Sequence, residues 1–246
     1  GKVLKGRREH VFVATKCGLD IENGMRIDLS PAAVQKELAA SLKRLGTDYI
    51  DLYQCHWPDP SVPIADTMGA LARFQKEGKI RFIGVSNFSR PQVEEALKYA
   101  EISTLQPQYS LLDREIEKEI QPFCAQRGIA ILAYAPLGGG LLTGKYAERP
   151  RFTKSDARSF FYKYYQEAYW PRVKAVVDTV KRIASERGAR PSHVAIAWVL
   201  ARRGVLAALV GARNPSQALE NVDGAALALD PADIEALDRV SAMLYE

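Results

Sequence analysis

The feature that most constrains this chain is a beat of short apolar runs and amphipathic stretches, repeated six times along 246 residues. Residues 11–16, β-branched and aromatic, read as a buried strand, and a loop follows. Ser30 and Pro31 then supply a cap and a first-turn proline. Val34, Leu38, Leu42 and Leu45 recur on one helical face, and Gly46 is placed to stop that helix. Residues 49–56 form the next strand. The cycle repeats through a helix marked by Ile64, Met68, Leu71 and Phe74 and ended by Gly78, a strand at 82–85, a helix at 89–100 and a strand at 104–108. Asp113 to Gly128 reads as a helix that Pro122 must bend or shift, followed by a strand at 129–134. Helices at 173–187 and 192–203, a strand at 206–210, and helices near 216–221 and 231–243 complete the chain.

Strands that alternate with helices across short turns are parallel and joined by helical crossovers. The fold class is therefore α/β, either a barrel or a doubly wound sheet, expected as one domain over 1–246 with C-terminal helices in 216–246. Residues 138–170 break the rhythm: they are aromatic and basic without a period, and a loop of that length usually works as a lid or binding loop.

Composition removes several function classes. With 47% hydrophobic and 26% charged residues the chain is globular rather than disordered. No apolar run approaches the ~20 residues of a membrane span. The net charge of +5 comes from dispersed Lys and Arg, without the aromatic interleaving of a nucleic-acid surface, so neither a membrane nor a nucleic acid is expected as partner. Cys17, Cys55 and Cys124 are an odd number without C-x-x-C spacing, as in reduced thiols of a cytoplasmic protein. His10 reads as a surface residue and His193 as packing or capping, so the three histidines form no metal cluster.

In parallel α/β folds ligands bind beyond the carboxyl ends of the strands. Those ends carry Lys16, His56, Ser86 with Asn87, Gln108, Tyr134, and Gly211 with Arg213. Each has an ordinary structural explanation alone: a snorkelling lysine, a hydrogen-bonded histidine, an amide serving a turn, a core tyrosine. Six apolar strands ending this way argue for one site at one mouth. Gly138, Gly139 and Gly140 do not make a G-x-G-x-x-G fingerprint, yet such a turn lets backbone amides approach a phosphate.

Six segments carry a family resemblance: residues 14–16 (ATK), 41–60 (SLKRLGTDYIDLYQCHWPDP), 78–89 (GKIRFIGVSNFS), 106–114 (QPQYSLLDR), 133–146 (AYAPLGGGLLTGKY) and 209–221 (LVGARNPSQALEN). Together and in this order they resemble the aldo-keto reductase superfamily, in the bacterial and plant type with LTGK and GARNPxQ motifs. The resemblance implies a (β/α)8 TIM barrel that binds NADPH without a Rossmann fold and reduces aldehydes or ketones, small carbonyl compounds, by hydride transfer. It places the family's catalytic lysine on Lys16 and histidine on His56, with Trp57 beside the substrate. Ser86, Asn87 and Gln108 would hold the nicotinamide carboxamide, and Tyr134 would stack on the ring. Leu137, Gly138, Gly140 and Lys145 would line the pyrophosphate. Gly211, Arg213, Gln217 and Asn221 would take the adenosine end, with the Arg213 fork suited to a 2′-phosphate, which favours NADP.

The family's catalytic aspartate and general-acid tyrosine normally lie ahead of the segment on which this sequence opens, and no tyrosine stands between Gly1 and Lys16. Six of eight strand–helix units are expected here, within a longer protein whose upstream part carries those two residues. The alternative is a catalytically weak NADPH-binding, redox-sensing module, similar to potassium-channel β subunits on the same fold. A barrel hydrolase or isomerase finds no paired carboxylates or Ser/His/Asp arrangement at the strand ends.

Overall fold

The computed structural model describes residues 1–20, 24–153, 155–156 and 158–245. Two compact units are present: Gly1–Pro107 with Glu119–Ile131, and Gln108–Lys118 with Leu132–Glu246.

The first unit contains β1 (Ala14–Cys17), a hairpin of β2 (Leu19–Asp20) and β3 (Arg26–Ile27), α1 (Pro31–Leu45), β4 (Ile50–Cys55), α2 (Ile64–Lys76), β5 (Ile80–Ser86), α3 (Arg90–Ala96), β6 (Thr104–Gln106) and α4 (Ile120–Arg127). β7 (Ala130–Tyr134) starts here and runs on into the second unit. Strands β1, β4, β5 and β6, then the first residues of β7, pair in parallel in that order. Every residue of β4 is buried, as a parallel strand covered on both faces requires. α1 forms as its sequence dictates: the Ser30 side chain accepts from the Ala33 N–H, Pro31 opens the first turn, and Gly46 closes the helix at φ +64°.

Three expectations need correction in this unit, and a fourth covers residues of both units. The first strand begins at Ala14, not at residue 11, and its lead-in is not buried. Phe12 is 62% exposed and stacks on Phe82 instead. The chain there is fixed by Arg8, whose guanidinium donates to Val11 O, Tyr49 O and Asp51 Oδ2, while the Val13 N–H donates to the same carboxylate. The loop after β1 contains the β2–β3 hairpin. The helix expected over 89–100 is regular only to Ala96, with Ser89 and Gln92 forming a capping box at its start. The helix expected over 113–128 is a short 3-10 turn, Glu115–Lys118, followed by α4. Pro122 sits in the first turn of α4, where a missing N–H costs no helical bond.

The second unit contains the rest of β7, a 3-10 segment over Gly138–Thr143, α5 (Arg158–Phe161), 3-10 turns at Lys163–Tyr165 and Glu167–Tyr169, α6 (Trp170–Glu186), α7 (Pro191–Leu200), β8 (Val205–Leu209), α8 (Pro215–Ala225) and α9 (Pro231–Ala242). β8 follows β7 in the strand order. α6 buries Val173, Val176, Val177, Val180 and Ile183, one face of its helix, whereas α7 is buried nearly all round. Trp198 at its centre is sealed from solvent and donates its indole N–H to Asp238 at 3.0 Å.

The stretch without period is ordered by aromatic packing. Tyr165 meets Tyr146, Phe152 and Tyr162 edge-on, with ring centroids 6.3, 4.8 and 6.4 Å away. Lys154 and Ala157 of this stretch lie outside the described residues. The strand expected to reach Gln108 stops at Gln106 because Pro107 has no N–H to give the ladder. Gln108 instead forms an isolated parallel bridge with Tyr134 in the second unit.

Candidate active site

In the first unit the strand register sets the expected site residues in rows. Lys16, Gln54, Gly84 and Thr104 are successive partners across β1, β4, β5 and β6. Side chains of partnered residues leave the sheet on the same face, so these four form one line. Two residues further along, His56 follows β4, and Ser86 partners Gln106. The His56 N–H donates to Cys17 O at 2.9 Å, which carries the β1–β4 pairing to the strand ends.

Asn87 ties this end together. It sits at φ +61°, a conformation asparagine tolerates better than most residues. Its Nδ2 donates to His56 O at 3.0 Å and to Ser86 Oγ at 3.1 Å, and its backbone N–H donates to Gln106 O. Ser86 Oγ in turn donates to Gln106 O at 2.7 Å. Trp57 follows in a loop anchored by Asp59, whose carboxylate accepts from Leu29 N–H, Ser61 N–H and Ser61 Oγ.

Burial holds the Lys16 ammonium below the ordinary lysine range. Burial, and then the charge of Lys16, holds the His56 imidazole below the ordinary histidine range. A neutral imidazole next to a partly desolvated cation can accept or donate a hydrogen bond at a polarised oxygen. The unit's tyrosines are occupied elsewhere. Tyr53 is fully buried and its phenol is pushed far up, Tyr49 lies between the Arg8 and Arg81 guanidinium groups at 3.9 and 4.0 Å, and Tyr99 bonds Glu95.

The second unit holds an open cleft of about 580 Å³. Of the expected binding residues, Leu137, Gly140, Lys145, Gly211, Arg213, Gln217 and Asn221 all line it. Gly138 does not: it is buried beneath the turn against Leu112, and Gly139 lines the cleft in its place. Gln108 and Tyr134 pair with each other but are not among the lining residues. Gly139 and Gly140 have φ of +67° and +103°, a turn that presents backbone with no Cβ between it and the cleft. The segment from Gly211 to Asn221 braces itself. Asn214 caps α8 by accepting from Gln217 N–H, Gln217 Oε1 accepts from Arg213 N–H, and Asn221 donates to Gly211 O. From α8, Gln217, Glu220 and Asn221 line the cleft; Glu220 is paired with Arg190 and Ser192, and Lys145, Arg158 and Arg213 line the same space, so the balance of charge favours an anion.

Sequence reasoning missed several residues. Arg158 and Tyr162 line the cleft from the aperiodic stretch. The Tyr162 ring rests on Gly139, and Tyr165 Oη donates to Gly139 O at 2.9 Å. Arg158 pairs with Asp156 at 2.6 Å and lies over the Phe152 ring at 4.1 Å. The aromatic-basic composition was the only sequence signal for these contacts. Gln54, Thr104 and Gln106 were missed because they sit inside strands, although alternation from His56, Ser86 and Gln108 would have found them.

The cleft over the glycine turn and the strand-end lysine with its histidine neighbour are now placed, and comparison with known proteins identifies the family. The family model described as "Aldo/keto reductase family" matches residues 1–242. The chain belongs to the aldo/keto reductase family. It is 40% identical over 229 residues to "Aldo-keto reductase YhdN" of Bacillus subtilis (strain 168), covering 91% of this chain and 69% of that protein. It is 35% identical over 248 residues to the "NADH-specific methylglyoxal reductase" of Escherichia coli (strain K12), covering 95% and 75%. Among solved structures it resembles the glycerol dehydrogenase AKR11B4 from Gluconobacter oxydans, with a TM-score of 0.90 and 36% identity over 98% of this chain and 75% of that one. The fold is thus α/β of the TIM-barrel type, and the protein is an oxidoreductase of the carbonyl-reducing, nicotinamide-dependent class. The expectation of a chain that lacks its catalytic beginning finds no support in a family match that runs from residue 1 to residue 242. Among the described residues no helix is long and apolar enough to cross a membrane.

Proposed function

We propose that this aldo/keto reductase reduces aldehydes or ketones to alcohols with NADPH, with Lys16 and His56 at the reacting carbonyl. The single observation that carries the reading is the cleft of about 580 Å³ in which the glycine turn, Lys145, Arg213 and the start of α8 line one space. These groups suit a dinucleotide's charge. Leu137, Gly138, Gly140 and Lys145 would hold its pyrophosphate, Gly138 by shaping the turn from beneath. Gly211, Arg213, Gln217 and Asn221 would hold the adenosine end. Arg213 favours NADPH over NADH, because it lines the cleft and its planar fork matches phosphate oxygens. Ser86, Asn87 and Gln108 offer the donors and acceptors a nicotinamide carboxamide needs, and Tyr134 a ring to stack on it. When bound, the cofactor supplies the hydride.

The chain's own residues handle the oxygen. Lys16 helps stabilise the negative charge that develops there, and its cation lowers the pKa of the family's general-acid tyrosine, which would supply the proton that completes the alcohol. His56, neutral at pH 7 because burial and Lys16 depress it, orients the carbonyl through a hydrogen bond. Trp57 flanks the substrate as an apolar wall. The three cysteines are unpaired and buried, which supports a reducing, cytoplasmic setting.

A fluorescence titration of the native protein with NADPH and NADH tests the cofactor. Arg213→Ser is expected to weaken NADPH about tenfold to a hundredfold and NADH less than about threefold, in keeping with one lost charge-assisted phosphate contact. Equal losses for the two cofactors would remove Arg213 from the 2′-phosphate.

A further inference from the structure

We propose that a cavity between α6 and the segment after the glycine turn is a second ligand site, for a small aromatic carboxylate, and that its occupancy tightens dinucleotide binding through Tyr146. The cavity lies wholly within the second unit and measures about 210 Å³. A void of about 150 Å³ takes one benzene ring, so there is room for a single ring and its carboxylate. From α6 it is lined by Trp170, Lys174, Val177, Asp178 and Lys181, and Tyr146 lines it from the segment after the turn. The α6 residues recur at steps of three and four along one flank of the helix, beside the buried face of Val173, Val176 and Val180.

The lining selects the ligand. An indole and a phenol offer flat apolar surface to a ring. Of the two lysines, Lys174 is held by Asp178 at 2.5 Å, and both of those side chains are more than half exposed. Among the described residues no ion pair holds Lys181. Its stem is fixed instead: Gly144 carries no Cβ where Lys181 Cε passes, 2.8 Å from the place that Cβ would take. With Lys174 and Asp178 offsetting each other, the positive charge left in the lining is that of Lys181. A cation with an anchored stem and an unclaimed head, in a pocket with few other polar groups, suits a carboxylate.

Tyr146 and Lys181 also touch the walls of the larger cleft. Tyr146 Oη accepts from Arg158 Nη1 at 3.3 Å, and the Lys145 ammonium stands 4.9 Å from the Tyr146 ring centroid. Arg158 and Lys145 both line that cleft. Gly144, against which Lys181 packs, ends the glycine turn at φ +72°. A ring seated on Tyr146 limits the rotamers of the phenol and so holds Arg158 and Lys145 where the cleft needs them. The ordering is then complete before the dinucleotide arrives, which gives positive coupling. The coupling rests on the assignment of the cleft to NADPH; the site itself does not.

The test uses 4-fluorobenzoate as the probe, followed by its fluorine resonance in titrations of the native protein with and without NADPH. One equivalent is expected to bind the NADPH-free protein. Lys181→Met is expected to weaken the probe about tenfold, as one lost charge-assisted contact implies, whereas Lys181→Arg keeps it. Ala147→Trp fills the cavity from an exposed position in its lining and abolishes binding. Saturating probe is expected to tighten NADPH about fivefold, and saturating NADPH must tighten the probe by the same factor. Tyr146→Phe keeps the ring and loses the acceptor for Arg158, so the probe still binds and the fivefold effect disappears. Absence of probe binding overturns the proposal. So does binding that Lys181→Met and Ala147→Trp leave intact and an aldehyde displaces, which is capture beside Lys16 and His56 instead. Binding at the cavity with an unchanged NADPH dissociation constant overturns the coupling. A protein that binds the probe at this cavity but no NADPH supports the site and refutes the cleft assignment.

Discussion

Lys16 and His56 sit two residues apart along the sheet face, and their environment decides what each can do. In the proposed reaction, loss of the lysine's charge removes electrostatic support for the oxyanion and for the group that protonates it. Lys16→Met is therefore expected to lower kcat for aldehyde reduction about a hundredfold or more, with the NADPH dissociation constant within about threefold of the parent. Equal kcat would take Lys16 out of the chemistry. His56 also makes a prediction for stability. Its folded pKa is depressed, so the unfolded chain binds more protons between the folded value and ~6.5, and stability rises with pH through that window. On acidification below ~6.5 the folded state loses stability until the folded pKa is passed. His56→Gln is expected to flatten that slope in urea unfolding midpoints taken at successive pH values. These two residues were legible in the sequence because each ends an apolar run. Gln54 and Thr104 were not, since a polar residue inside a strand looks like an interruption until the register shows which face it shares.

The elements that hold these residues are set by local chemistry the sequence states openly in some places and hides in others. The caps of α1 could be read directly from Ser30-Pro31 and Gly46, which place a side-chain acceptor and a left-handed residue where the helix needs them, whereas the Asn214 cap of α8 emerges only in the structure. The start of β1 was misread. Residues 11–13 have strand composition, but of these only Val13 bonds β4, through Asp51 and Leu52, and the Arg8 guanidinium adds a second link to Asp51, 43 residues away in sequence. The Asp51 carboxylate that receives it is pushed up by burial, yet the Val13 N–H, Arg8 and Arg81 outweigh this and hold it below the usual range. That stabilisation is present above the unfolded value near 3.9 and is lost as pH falls through the folded one. Arg8→Ala leaves a buried carboxylate with one guanidinium fewer and is expected to cost about 2 kcal/mol in urea unfolding at pH 7, an effect that shrinks toward pH 3. A variant as stable as the parent at pH 7 would mean that Arg81 and the Val13 N–H suffice. The aperiodic stretch between Gly138 and Trp170 was legible only as a loop. Its order comes from rings that meet edge-on around Tyr165, and such packing has no sequence period to find.

At the scale of the whole molecule, parallel strands deliver polar residues to their carboxyl ends, the face on which barrel enzymes carry their active sites, and the chain belongs to the aldo/keto reductase family. The alternation of strand and helix made the fold class readable, and the strand-end residues made half of the site readable. The other half, Arg158 and Tyr162 over the glycine turn, depends on tertiary packing. The central claim is that NADPH delivers the reducing equivalent to a carbonyl held at Lys16 and His56. The most direct measurement is a single-turnover experiment in which the native protein, loaded with NADPH or with NADH, is mixed rapidly with an excess of a reactive aldehyde while the absorbance of the reduced nicotinamide is followed. The account predicts oxidation of one equivalent of bound NADPH, at a rate that Lys16→Met slows about a hundredfold or more. Bound NADPH that persists in the presence of the aldehyde, or oxidation as fast without Lys16 as with it, would contradict it.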